Sequence, residues 1–177
     1  LYYSGVLYAN GRDPVPVFNA ISKLKALGHI TNNNFELIFQ GAGNGEDFND
    51  LISELNIQSM VKFINPVPFL NALNNMINAD ALLLIQDKRF NKQIPGKIYE
   101  YLRTNKPLLV KADTNGETYK LATLFQNVHV GSTTEEIQSS ILTLLRKDSA
   151  MIERSLDNYN REGKAQVLQS ILLKQIT

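Results

Sequence analysis

The residues with the most chemistry in them lie in one stretch, 93–107, which reads QIPGKIYEYLRTNKP. Pro95-Gly96 stands where a helix can start, and Lys97 and Glu100 follow one turn apart. If 96–103 is helical, the N–H groups near Gly96, Lys97 and Ile98 lack intrahelical acceptors and carry the positive end of the helix dipole. A diphosphate can dock there. Gly96 has no side chain to obstruct it, Pro95 lacks an N–H that a helix start does not use, and Lys97 adds a point charge. Glu100 falls on the same face, where its carboxylate can accept bonds from two neighbouring ribose hydroxyls. The competing reading is a solvated Lys–Glu pair on a helix whose Ile98 and Leu102 face inward. The Pro-Gly before it and the strand that Lys106-Pro107 opens favour the binding reading.

Such a cluster needs a frame to hold it. Apolar segments at 2–8, 35–40, 61–64, 81–85, 107–110 and 128–130 predict strands. Residues 81–85 are almost wholly aliphatic, as in a central strand buried on both faces. Between them 14–27, 46–55, 69–77, 96–103, 117–125 and 135–145 predict helices. In the first of these, Val17, Ala20, Ile21, Leu24 and Leu27 recur at threes and fours, with Pro14 suited to the first turn and Gly28 to a C-terminal cap. Strand and helix alternating throughout implies parallel pairing with right-handed crossovers. The expected fold is α/β, a Rossmann-like doubly wound parallel sheet of about six strands with helices on both faces, plus a C-terminal helix. Ligands of such sheets bind outside the carboxyl ends of the strands, which singles out loops 9–13, 41–45, 65–68, 86–95 and 112–116.

Composition excludes several classes. A 177-residue chain is one ordinary domain, and its net charge of +1 without a basic run gives no reason to expect nucleic acid. There is no cysteine, hence no disulfide, thiolate metal site or Cys nucleophile. No apolar run approaches the ~20 residues of a membrane span. Leu1-Tyr2-Tyr3 opens directly into a strand, so the chain is expected to be cut from a longer protein. Residues 1–150 read as the binding domain. Residues 151–177 read as a helical tail, with Val167, Leu168, Ile171 and Leu172 on one side of a helix from 158, packing on this domain or on a preceding one. The glycines of Gly41-Ala42-Gly43-Asn44-Gly45 lack the GxGxxG register and read as a structural turn. His29 and His129, with no paired carboxylates, argue against a metal site or a Ser-His dyad. Asp87-Lys88-Arg89 reads as a mobile loop at the site's edge, and Glu135-Glu136 as a helix start favoured by the dipole.

The 93–107 segment resembles the donor-binding motif in the C-terminal half of GT-B glycosyltransferases, in the large GT4-like group (glycosyl transferases group 1). That family carries two glutamates eight positions apart, and Glu100 resembles the second, which holds the ribose. Tyr99-Glu100-Tyr101-Leu102 followed by Lys106-Pro107 is similar to the usual continuation. The first glutamate would fall at 92, where this chain has Lys92. Tyr3-Ser4-Gly5-Val6 resembles the end of the domain's first strand, with Gly5 close to the phosphates. Val6 replaces the family's arginine, and Arg12 fills the place of its lysine. Asn65-Pro66-Val67-Pro68 resembles the segment whose backbone reads the base, placing Pro66 and Val67 beside it. No DxD motif stands at a strand end, which disfavours a metal-dependent GT-A transferase.

The resemblance implies a donor half that takes UDP- or GDP-sugars and transfers the sugar to a saccharide or lipid-linked acceptor. Gly5, Arg12, Gly96 and Lys97 would hold the diphosphate and Glu100 the ribose, with no metal and no cofactor. Acceptor groups would come from an N-terminal domain of the parent, so this chain alone would be inactive. The setting would be cytoplasmic, the parent lying at the inner face of the membrane in polysaccharide biosynthesis. Two alternatives stand beside it: a nucleotide-sugar epimerase of the same fold, and a non-catalytic α/β nucleotide-binding or interaction module, to which Lys92 and Val6 lend support.

Overall fold

The computed structural model describes residues 1–7, 11–43, 45–146 and 152–176. Strands β1 (Tyr2–Ser4), β2 (Leu37–Gln40), β3 (Val61–Ile64), β4 (Leu82–Ile85), β5 (Leu108–Lys111) and β6 (Val128–Gly131) form one sheet in the order β3-β2-β1-β4-β5-β6. Every pairing is parallel. The connections run through helices α1 (Val15–Ala26), α2 (Asn49–Glu54), α3 (Phe69–Asn78), α4 (Lys97–Arg103) and α5 (Glu117–Ala122). Two more helices follow β6, α6 (Thr134–Leu145) and α7 (Arg161–Ile176). The strand order reverses direction at β1 and β4, which makes their carboxyl ends the switch point of the fold.

The two faces of the sheet separate by the two-residue period of the strands. Tyr3, Leu37, Phe39, Leu83, Ile85 and Leu109 pack with Phe18, Ile21 and Leu24 of α1 and Ile137 and Ile141 of α6. Tyr2, Leu82, Leu84, Leu108 and Val110 point the other way, onto Met76 of α3, Ile98, Tyr101 and Leu102 of α4, and Leu121 of α5. Two-sided burial explains why β4 is aliphatic at every position.

Element ends differ from the expectation for local reasons. The first strand stops at Ser4, because Gly5 turns into the left-handed region at φ 103°. The position expected to close it, Tyr8, lies outside the described residues, as do Asn44 and the 150–151 domain boundary. The second predicted helix splits into a 3₁₀ turn, Glu46–Phe48, and α2. Helix α5 ends three residues early, leaving Leu124 exposed. Glu136 completes a capping box with Thr133 at the start of α6, and Glu135 pairs with Lys23 of α1 at 2.8 Å. The tail helix begins at Arg161 instead of 158, and Val167, Leu168, Ile171 and Leu172 are all exposed.

Candidate functional site at the sheet's switch point

Strands β1 and β4 hold together for a single register pair, Tyr2 against Leu82, where the Tyr2 N–H donates to the Ala81 carbonyl at 2.9 Å. Beyond it they part. Along a strand the N–H and C=O of alternate residues face the same neighbour. Ser4, like Tyr2, therefore turns both groups toward β4, while Gly5 turns back and donates to the Gln40 carbonyl of β2 at 2.8 Å. With β4 gone, the Ser4 peptide groups lack strand partners, and helix α4 supplies them. The Ser4 N–H donates to the Tyr101 hydroxyl at 2.9 Å, and the Lys97 ammonium donates to the Ser4 carbonyl.

Tyr3 completes the arrangement. The Lys97 ammonium sits 4.9 Å from its ring centroid, a cation–π distance. At the other end of the ring, the Tyr3 hydroxyl donates to the Val6 carbonyl at 3.1 Å and accepts from Arg12 at 3.4 Å. Arg12 also donates to the Val6 carbonyl at 2.7 Å. The two cations thus share one aromatic platform. Burial pushes the Lys97 ammonium down to about 8, Arg12 pushes it the same way, and Glu100 opposes both. Burial raises the Tyr101 phenol far above its ordinary range, so it stays a neutral hydrogen-bonding group. A Cβ on Gly5 would lie 2.5 Å from the Lys97 Nζ, so only glycine lets the ammonium rest on the strand end.

Of the residues singled out from sequence, Gly5, Arg12 and Lys97 meet here, with the exposed Glu100 one turn along α4 within electrostatic reach of Lys97. Gly96 is exposed with open space before it. One expectation needs correcting: the Ile98 N–H is not left for a ligand. It donates to the Pro95 carbonyl at 3.0 Å, and the Tyr99 N–H to Gly96 at 3.1 Å. Pro66 joins from the β2 side, and Val67 beside it is exposed. A Cβ on Gly41 would touch Pro66 at 3.4 Å, and the Gln40 amide donates to the Asn65 carbonyl at 3.0 Å. The Gln40 oxygen accepts from the Tyr2 hydroxyl and from Asn75 of α3, both at 2.6 Å, tying the 65–68 loop to the sheet.

The loop before α4 is also held from below. Buried Gln86 donates to the carbonyls of Phe90 (3.3 Å) and Gln93 (3.4 Å), and buried Thr118 donates to Gln93 at 3.0 Å. Asp87, read as part of a mobile edge, instead caps a 3₁₀ turn over Lys88–Phe90 and pairs with Arg89 at 2.8 Å, which lowers its carboxyl. Lys92 is exposed on this loop. Tyr3, Ser4, Gln40, Gln86 and Tyr101 also belong to the site, though none was singled out from the sequence. Tyr3, Ser4 and Tyr101 stand inside the Tyr3-Ser4-Gly5-Val6 and Tyr99-Glu100-Tyr101-Leu102 runs, and Gln40 and Gln86 carry no signal.

No three His, Asp or Glu side chains among the described residues come together as a metal would need. His129, half-buried in β6, has an Nε2 without a partner among the described residues. A depression of about 1300 Å³ lies at the opposite end of the sheet, lined in part by Leu1, Asn34, Glu36, Asp80 and Pro107. It is broad and open, and Glu36 there is already paired with Lys62. The chemistry converges at the carboxyl ends instead.

A parallel sheet with this strand order is a Rossmann-like domain, and its fold is similar to one half of GT-B glycosyltransferases of known structure. Among solved structures, the galactosyltransferase WaaB of the lipopolysaccharide outer core superposes with a TM-score of 0.58 at 15% identity, over 84% of this chain and 40% of that one. WaaG, a glycosyltransferase involved in lipopolysaccharide biosynthesis, gives 0.57 at 20% identity over 82% and 38%. A Listeria monocytogenes protein described as a UDP-N-acetylglucosamine 2-epimerase gives 0.52 at 14% identity over 84% and 37%. The chain thus spans less than half the length of each. No family model and no curated protein sequence matches it. No described helix is long and apolar enough to cross a membrane.

Proposed function

We propose that this chain is the donor-binding half of a GT4-like glycosyltransferase that moves a sugar from a UDP- or GDP-linked donor to a saccharide or lipid-linked acceptor. The observation that carries this reading is the meeting of Lys97, resting at Gly5, and Arg12, held on the Tyr3 hydroxyl and the Val6 carbonyl, at the switch point, with Glu100 one turn away. Two cations over a bare strand end suit a diphosphate, which becomes the leaving group when the anomeric carbon–oxygen bond breaks and the acceptor oxygen bonds to that carbon. Fixed cations stabilise the departing charge without a metal ion. Glu100 takes the ribose hydroxyls, and Pro66 and Val67 border the base. The acceptor and the base that removes its proton belong to a preceding domain, onto which the exposed apolar residues of α7 pack. The parent works in the cytoplasm at the membrane's inner face, in polysaccharide biosynthesis.

The test is ligand-observed NMR with UDP, GDP, ADP and NAD, repeated on Glu100→Ala. The expected result is preferential binding of UDP or GDP, weakened about tenfold by the substitution, the worth of one or two charge-assisted hydrogen bonds. Equal affinity in the folded variant would sink the ribose assignment. The epimerase reading has the third structural neighbour in its favour, and it predicts interconversion of a UDP-sugar at C2 without any acceptor.

A further inference from the structure

Helix α4 holds one residue of the strand end from two successive turns. Tyr101 accepts from the N–H of Ser4, part of the Tyr3–Ser4 peptide, and Lys97 donates to the Ser4 C=O, part of the next peptide, the two side chains lying one turn apart on the same helix. These are the groups that β4 would have paired had it stayed beside β1. The opening of the switch crevice and the filling of its wall are thus one event. We infer that Tyr101 is a positioning residue for the anion site: its hydroxyl anchors Ser4 through the N–H, and the Ser4 carbonyl in turn fixes where the Lys97 ammonium waits.

The surroundings give the clamp a function beyond packing. The Tyr101 ring is wholly buried and contributes to the core, so a phenylalanine would fill the same space. What phenylalanine lacks is the acceptor for Ser4. Without it Ser4 can turn about its own φ and ψ, its carbonyl leaves the ammonium, and Lys97 loses the partner that holds it over Tyr3. The charged and titratable groups facing Lys97 are Tyr3 from β1, Arg12 from the loop before α1, and Glu100 and Tyr101 from α4 itself. Arg12 and burial keep the ammonium low, at about 8, only while it stays in this place. An ammonium that swings out into water titrates nearer its ordinary 10.5. The resting contact also means that an incoming phosphate competes with a neutral carbonyl, and an anion wins that exchange.

This inference rests on the donor-site reading for its purpose but not for its test. The Lys97 side chain is titrated by NMR in the unliganded chain, as wild type and as Tyr101→Phe, with UDP affinity measured on both. The expected midpoint is near 8 in the wild type, rising by about one unit or more in the variant, while UDP binding weakens about three- to tenfold. A merely structural tyrosine would lower stability and leave the midpoint in place. An unchanged midpoint in a folded variant overturns the clamp, whatever the nucleotide does. A wild type that binds no nucleotide defeats the donor-site reading, and the midpoint still decides the clamp. If the variant does not fold, amide exchange in the wild type decides. Protection of Ser4 equal to that of Gly5 is expected, and exchange at the rate of an exposed amide overturns the inference.

Discussion

At the scale of single residues, the site depends on one absent side chain. Gly5 combines a left-handed backbone, φ 103°, with the contact that brings the Lys97 ammonium onto the strand end. Alanine there meets both costs, backbone strain and a displaced lysine. Gly5→Ala is expected to lower stability by about 1–3 kcal/mol and to weaken UDP binding in the same variant. Urea unfolding and calorimetry report the two effects separately, and full retention of both would mean the ammonium does not rest at Gly5. Tyr3 shows how a residue can be core and site at once. Its ring is buried against Phe39 at 5.3 Å, while its face and hydroxyl serve Lys97 and Arg12.

At the scale of elements, α4 is only seven residues long and must be fixed at both ends. Its start is held by Ser4. Its far end is held by Arg154, which reaches in from the segment before α7. The Arg154 guanidinium donates to the carbonyls of Leu102 (3.2 Å), Lys106 (3.0 Å), Gln126 (3.1 Å) and Asn127 (3.1 Å). Its own N–H donates to the Asn105 side chain at 3.0 Å. All four guanidinium acceptors are neutral carbonyls; burial lowers the pKa of the group, and an arginine stays charged in a protein. Arg154→Met leaves these carbonyls buried without a donor, at a cost of about 2–4 kcal/mol. Urea unfolding should show that loss with nucleotide affinity little changed, because the carbonyls lie at the other end of the sheet from the site. A loss of affinity as large as the loss of stability would tie the strap to the site instead.

At the scale of the molecule, the site is open on one side. Glu100, Gly96, Lys92, Pro66 and Val67 are exposed around the crevice, and the chain matches under half the length of WaaB and WaaG. On the function proposed above, this chain presents the sugar, while the groups that choose and activate the acceptor lie elsewhere in the parent. The chain alone is therefore expected to bind UDP or GDP and to transfer no sugar, measured as product from a labelled UDP-sugar with candidate acceptors. Transfer by this chain at the rate of a complete enzyme would show that the acceptor machinery lies within it.

The layers and the parallel direction of the sheet were legible in the sequence. Alternation of short apolar strands with amphipathic helices leaves few topologies, and parallel pairing with right-handed crossovers narrows them to the doubly wound class, whose strand order only the folded chain shows. Local chemistry also marked Lys97 and Glu100, because a Lys–Glu turn after Pro-Gly is visible in the one-dimensional pattern, whereas Gly5 was marked only by the family resemblance. What only the tertiary structure decided was the partners. Ser4 and Tyr101 are 97 residues apart, and nothing local to either shows that β4 will diverge from β1 and leave a peptide to be caught. The Gln40–Asn65–Asn75 network and the Arg154 strap are likewise built from groups that no periodicity marks.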